Sequence, residues 1–543
     1  ELALFRDASG AFVWKKVFAP SGWVNVLDDE AMSRFVELTH EVYERRLAKW
    51  FAKKTIVGIF TDEPGHPTAI SFPEKPLCHF AYWDGLEKAY REKTGRDIRK
   101  DIEAWCSGAG SDAVWETYAE LKGRRFRANY FDRIRAWCDK VGILATGHMI
   151  SEDDVAGSSL YNGNPLLALK GLSLPGMDEI GSRADSQAEW LTLALAQHAA
   201  VRNGNGGLVE LFALGPNDMS PARVRQMIWL TALFGIDHYA LSMHALDHRG
   251  LVEKHGYLPP IQEGYPGHGE MRALVADAKA AAALARRRDL VFHAAVRYPQ
   301  RMAARAAHAN GQVPNVRGLI GEMERLQMTP ILIEEEEATE LPYVFRVAPD
   351  GTLKEDRTGT SFRAPAEAAD WLSARAEKRV RYLESDGALA RDVIVREYAD
   401  GSSVALDIRN CGDRRLTFVS GASRRACVLP KRGVLRLASG ALPPEPVDPQ
   451  SRRLMPDVTT FPYALDRDNV IRLGFGADRV ARFTLTKPLR LKLVLRDFAL
   501  SYAVTATGRP VDFEAPAPDE KVFRHTAEPY AFELDGRRLG GLL

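Results

Sequence analysis

The stretch Ile56-Val57-Gly58-Ile59-Phe60-Thr61-Asp62-Glu63-Pro64 is an apolar run that stops at two carboxylates and a proline. A second stretch, Leu208-Val209-Glu210-Leu211-Phe212, is built the same way around one acid. A β-branched run ending at once in an acid is how a buried parallel strand delivers a side chain to the mouth of an α/β barrel. Two acids far apart in sequence are what hydrolysis of a glycosidic bond requires: one proton donor, and one base or nucleophile. Taken singly, each is as readily an acid at an exposed loop edge. Together with a histidine and further acids at other strand ends, they point to a site.

The pattern recurs along the chain. Asp28-Asp29-Glu30 opens a helix, with acids in the first turn where the dipole favours them. Its Met32, Phe35, Leu38, Val42 and Leu47 recur at helical spacing. A polar, aromatic-rich insertion covers about 64–83, and helices are expected over about 84–106 and 112–140. The aromatics of the second helix, from Trp115 to Trp137, read as core. Val141-Gly142-Ile143-Leu144-Ala145-Thr146-Gly147-His148 is another buried strand, with His148 at its end. A weaker strand ends at Asp178-Glu179, a helix covers about 186–202, and Ser220-Pro221 starts another. Ile236 to Met243 is a strand that ends at His244, and an Ala-rich helix covers about 267–288.

This alternation, with long connections, predicts an α/β fold with a (β/α)8-type barrel rather than a doubly wound sheet. No GxGxxG or Walker pattern follows any strand, which argues against a nucleotide site. Five strands are clear and one or two more are doubtful, whereas a closed barrel has eight. The others are expected upstream of residue 1 or among segments that read as loops.

A chain of 543 residues exceeds one ordinary domain. Texture divides it into a barrel-like domain over 1–288, a small α/β domain over 289–390, and a β-rich sandwich region over 391–543. Asp400-Gly401 between two apolar runs marks a hairpin in the last of these. The formal net charge of +1 gives no footprint for nucleic acid. No apolar run approaches the roughly 20 residues of a membrane span. The 5 cysteines are scattered and show neither zinc-site spacing nor a disulfide framework. The chain starts in a strand-like segment without an initiator Met, so a fragment or processed product is expected.

Residues from about 24 to 270 resemble the large multidomain bacterial glycoside hydrolases of the α-L-rhamnosidase type, which are built on a TIM barrel. The matching stretches are Phe60 to Pro64, Thr146-Gly147-His148 with Ser151-Glu152-Asp153, Pro175 to Glu179, Val209 to Phe212, and Phe234-Gly235-Ile236 leading to Ser242-Met243-His244. The resemblance implies a glycosidase acting on carbohydrate in plant or microbial polysaccharide, in the periplasm or outside the cell, with a Ca²⁺ ion near the sugar. It favours inversion, with Glu63 as general acid and Glu210 as base. The residues alone leave inversion and retention open, since these differ in the gap between the carboxyls.

Asp62 and Glu63 are adjacent, so on a strand they point to opposite faces, one into the cavity and one into the wall. Asp62, His148, Glu152, Asp178, His244 and Tyr161 are candidates for substrate contacts, and Glu152 and Asp178 are oxygen donors suited to Ca²⁺. Trp83, Tyr161 and Trp229 are candidate sugar platforms, with Trp229 placed mid-helix as a core residue is. Two alternatives remain: a glycan-binding protein on the same barrel without turnover, and a metal-dependent barrel hydrolase holding its metal with His148 and His244. No HExxH spacing supports the second.

Overall fold

The computed structural model describes residues 2–17, 24–65, 74–179, 187–211, 221–241, 271–309, 311–409, 413–430 and 432–443, and the backbone of seven strands between 470 and 535. Strands β1 (Leu2–Arg6) and β2 (Phe12–Lys16) form an antiparallel pair. Strand β3 (Gly58–Thr61) follows two helices, and β4 (Cys78–Phe80) returns to pair with β1. The aromatic-rich insertion thus carries an edge strand of this small sheet.

The central sheet joins β3 to β5 (Leu144–Gly147), β6 (Leu174–Glu179), β7 (Gly207–Leu211) and β8 (Ile236–Leu241). All neighbours are parallel and follow chain order. This sequential winding, with each crossover through helices, is that of a barrel wall. It comprises the five strands that the apolar runs predict, and no further strand joins it among the described residues. The sheet is curled. Strands β3 and β7 lie three places apart, about 14 Å across a flat sheet at roughly 4.8 Å per step. Yet acids from their ends reach the same imidazole, as described below. Two glycines allow the close packing this needs. A Cβ at Gly147 (φ 140°) would lie 2.0 Å from Thr61 O, and one at Gly176 would lie 2.4 Å from Gly147 O.

The helix expected to run from Asp28 past Leu47 is two, Asp29–Leu38 and His40–Ala52, and Leu38, expected to face the core, is exposed. Asp28 caps Asp29–Leu38 by accepting Ala31 N–H at 2.8 Å. The segment expected as one helix over 84–106 is two, Leu86–Thr94 and Ile98–Cys106. Gly95, at φ 73°, ends the first, and Asp97 caps the second. The segment over 112–140 carries a π-helical turn at Arg127–Phe131, between Ala113–Phe126 and Asp132–Val141. Trp115, Tyr118 and Phe126 are core, as read. Trp83 and Trp229 are buried too, which removes both as sugar platforms. Cys78 and Cys106 bring their sulfurs to 3.7 Å, the one cysteine contact among the described residues and one that spacing did not signal. No helix among the described residues is long and apolar enough to cross a membrane.

Strands β9 (Ala294–Arg297) and β10 (Pro330–Ile333) are parallel neighbours. With β11 (Val344–Val347), β12 (Leu353–Glu355) and β13 (Ser361–Phe362) they make a second, mixed sheet. Beyond it, β14 (Val380–Leu383) pairs with a later strand, while β15 (Val393–Glu397) and β16 (Ser403–Asp407) form the Asp400-Gly401 hairpin. Strands β17 (Arg414–Ser420), β18 (Ser423–Leu429) and β19 (Val434–Leu437) complete two three-stranded antiparallel sheets. Alternate residues of β15 explain its burial on both faces. Val393 and Val395 join the core between these two sheets, and Ile394 joins the main core shared with the parallel sheet. Arg396, on the same side as Ile394, is fully buried. It donates to both oxygens of Glu324 at 2.6 and 2.7 Å and to Leu233 O at 2.8 Å. One guanidinium thus ties together the last turn of helix Pro221–Leu233, helix Val316–Arg325 and strand β15.

Candidate active site

The parallel register fixes which strand ends meet. Thr61 pairs with Gly147, so Asp62 and His148 come next on adjacent strands, and His148 N–H still donates to Thr61 O at 3.2 Å. Asp178 pairs with Glu210 on β6 and β7. All four, with Glu63, lie at the carboxyl ends of parallel strands, where barrel enzymes carry their chemistry.

His148 is the hub. Its ring has no exposed surface, and its Nε2 lies 3.0 Å from Glu210 Oε2 and 3.3 Å from Asp62 Oδ1. One oxygen each from Glu63 and Asp178 and a ring nitrogen of His148 fall within 4.8 Å of one another. Glu63 and Glu210 therefore share one imidazole, and this bounds the distance between their nearest oxygens at about 10 Å, a limit that admits both the retaining and the inverting separation. The Asp62 side chain is 75% exposed and that of Glu210 17%, so the cluster runs from an open mouth to a closed base. Phe60 packs edge-on against His148, with ring centroids 5.5 Å apart, and is itself exposed.

The alternation rule for adjacent acids fails here. Strand β3 ends at Thr61, and Glu63 adopts φ 43°, a left-handed conformation that non-glycine residues rarely hold. That turn breaks the opposite-face pattern, so both Asp62 and Glu63 approach His148 instead of one entering the wall. Strain of this kind persists where the surroundings overdetermine it, and it collects at functional sites.

Charge in the cluster is unbalanced, and the ionisation of each group shows it. Burial alone would push His148 down. The Glu210 hydrogen bond and the charges of Glu152, Asp178 and Glu210 outweigh it and raise its pKa to about 9. Burial raises Asp178 to about 7, against the pull of His148 and with added repulsion from Glu210, Glu63 and Asp62. Burial raises Glu63 as well, opposed by His148 and reinforced by Asp62 and Glu210. Desolvation and like-charge neighbours are the two means by which a carboxyl keeps its proton for acid catalysis.

Glu152 differs from its sequence reading. It is buried, and its two oxygens accept Met149 N–H at 2.7 Å and Asp178 N–H at 3.3 Å. It fastens the turn after β5 to the end of β6 from a buried position. Burial lifts its pKa to about 8, against the opposing effects of His148 and the two N–H bonds. Asp178 keeps one oxygen, Oδ1, buried without a partner among the described residues. Both acid trios within 4.8 Å centre on an imidazole nitrogen, whereas Ca²⁺ takes oxygen ligands. An imidazole in each trio fits a transition metal better than Ca²⁺.

Tyr161 lies in the last turn of helix Val155–Asn162 beside the Glu63 loop, where a Cβ on Gly65 would lie 3.7 Å from Tyr161 Cβ. His244 lies outside the described residues. Sequence reasoning passed over Phe60 as a site residue; its place on the strand that ends just before Asp62 was the available signal.

No protein-family model matches the chain, and no curated protein matches it. Among solved structures, the rhamnosidase from Novosphingobium sp. PP1Y is similar at 10% identity and a TM-score of 0.49, over 98% of this chain and 61% of that chain. A β-galactosidase from Halorubrum lacusprofundi is similar at 10% identity and a TM-score of 0.49, over 81% and 86%. An exo-carrageenase from Bacteroides ovatus follows at 11% and 0.42, over 66% and 62%. This chain spans 61% of the rhamnosidase's length. All three are glycoside hydrolases, and likenesses of this size leave the activity to be argued from the residues above.

Proposed function

We propose that the chain is a glycoside hydrolase of (β/α)8-type architecture that works with two carboxylates, Glu63 and Glu210. The observation that carries this reading is their convergence on His148 from the ends of two strands three places apart in the sheet. Glu63, desolvated and crowded by acids, holds the proton that the leaving oxygen takes up. Glu210, held by His148 Nε2, is the base for an attacking water in inversion, or the nucleophile in retention. The family resemblance favours inversion. The His148 cation offsets the charge that the acids gather. Asp62 and Phe60, at the exposed mouth, border the sugar.

The test is a panel of chromogenic glycosides, begun with α-L-rhamnosides because of the resemblance and run with and without added Ca²⁺. Turnover that falls in both Glu63→Gln and Glu210→Gln supports the reading; turnover intact in either variant removes that residue from it. Sugar binding without turnover in the unmutated chain marks a glycan-binding protein instead. A second reading has one observation in its favour. Asp62, His148 and Glu210 offer three ligand atoms within 4.8 Å, a set suited to a transition metal. It requires a hydrolase that a zinc-class chelator silences, whereas the carboxylate reading predicts full activity in chelator.

A further inference from the structure

A second cluster lies away from the carboxyl ends that carry Glu63 and Glu210. It borders an open groove of about 1000 Å³ between the helices that pack on the parallel sheet and the sheet that starts at β9. Lys170 and Arg202, which line it, precede the amino ends of β6 and β7 by only a few residues, so the groove belongs to the other end of the strands.

His198, on helix Gln187–Asn203, is completely buried. Its Nδ1 lies 2.7 Å from Leu332 O. A carbonyl only accepts, so Nδ1 carries the proton and Nε2 the lone pair. That Nε2 is buried and has no partner among the described residues. A ring nitrogen of His198 and one oxygen each from Glu334 and Glu337 all lie within 4.8 Å of one another. Since Nδ1 is committed to the carbonyl, Nε2 is the nitrogen whose lone pair a ligand can use. The run that fixes the tautomer, β10, continues directly into the two glutamates.

Lys170 pairs with Glu334 and Arg202 with Glu337, and Glu337 Oε2 also accepts Glu334 N–H at 3.2 Å. These bonds do not exhaust the acids, because an ionised carboxylate offers about four lone-pair positions. They are the outer hydrogen bonds that orient ligating carboxylates, just as Nδ1–H to a backbone carbonyl orients a ligating histidine. One imidazole and two carboxylates, with water in the remaining position, suit a zinc-class ion at bonds of about 2.0–2.2 Å. Reaching that geometry requires side-chain shifts of about an ångström.

We propose that His198 Nε2, Glu334 and Glu337 form a site for a divalent transition-metal ion at the seam between helix Gln187–Asn203 and strand β10. A metal there cross-links the helix layer of the parallel sheet to the following α/β unit. It is independent of the glycosidase reading and of the acids around His148.

The full chain, stripped with chelator, is titrated with Zn²⁺ by calorimetry and with Co²⁺ by its visible absorption. One saturable equivalent is expected in the unmutated chain and also in His148→Gln, with a cobalt band of nitrogen and oxygen ligation and a zinc-dependent rise in Tm. Affinity should fall at least about tenfold in Glu334→Gln and in Glu337→Gln, with the Tm response lost. His198→Gln should abolish the site; if burial of that residue prevents folding of the variant, the two glutamate variants carry the test. Absence of saturable binding in the unmutated chain, which would leave only water on Nε2, overturns the proposal. So does affinity undiminished in both glutamate variants, or loss of the only equivalent in His148→Gln, which would place the metal among the acids at the other end of the sheet.

Discussion

His148 and Arg396 are both buried without exposed surface, and their surroundings differ in charge balance. Arg396 faces one carboxylate, Glu324, through two short bonds, and spends its remaining Nε on a carbonyl. His148 touches two acids and lies in the field of three more, and its second nitrogen has no protein partner among the described residues. A matched, fully bonded pair is how a protein fastens elements together. A cluster with surplus acids and an open hydrogen-bonding position costs stability, and such clusters are kept where protons are moved. The contrast separates a joint from a site without appeal to any relative.

Each half of the contrast can be broken. Glu63→Gln and Glu210→Gln should lower kcat on the cleaved glycoside by roughly 10²–10⁴-fold. Because each removes surplus negative charge, Tm should hold or rise; a fall in Tm that matches the loss of activity would make these acids structural. Arg396→Leu should destabilise the chain by about 3–5 kcal/mol in urea unfolding, since it strands the Glu324 carboxylate in the core. Adding Glu324→Leu should recover most of that loss, and an unrelieved double variant would show that the pair is not the joint.

Gly147→Ala tests the close approach that brings the strand ends together. Its Cβ would meet Thr61 O at 2.0 Å on a backbone that L residues rarely adopt, so about 1–3 kcal/mol of stability should go, with activity lost as β3 moves from β5. An active, unshifted variant would mean that the convergence at His148 tolerates a looser sheet.

The smallest expected effect is in pH. The folded pKa of His148, about 9, lies above its ordinary value, so its stabilisation is complete below about 6.5 and is lost as pH rises through 9. Asp178 and Glu152, raised to about 7 and about 8, keep protons that the unfolded chain releases near pH 4. Between these limits the folded state binds more protons, so all three groups make stability decline from acid to alkaline pH. Calorimetric Tm should be higher near pH 6 than near pH 9, with a shallower slope in His148→Gln; a rising profile would contradict the charge surplus.

Much of this was legible locally. Four of the five parallel strands announced themselves as apolar runs, while β6, interrupted by Ser173, Pro175 and Gly176, read as a weaker strand. The helix start at Asp28 and the hairpin at Asp400-Gly401 rest on residue preferences that act over three or four positions. Trp83 and Trp229 were ambiguous because an aromatic ring serves a core and a sugar equally well, and only burial chooses. The break at Gly95 was passed over because helical periodicity continues on either side of it.

The sequence by itself determined that acids and a histidine stand at the ends of buried strands, since periodicity and punctuation are local. Only the tertiary structure decided where they stand relative to one another. Register set Asp178 beside Glu210, curl brought the ends of β3 and β7 to one imidazole, and a left-handed turn at Glu63 sent two adjacent acids the same way. The same long-range packing committed Glu152 to two backbone N–H groups and left His148 Nδ1 without a protein partner among the described residues. Distances between strand ends depend on twist, closure and packing over more than a hundred residues, and no pattern within a few positions encodes them.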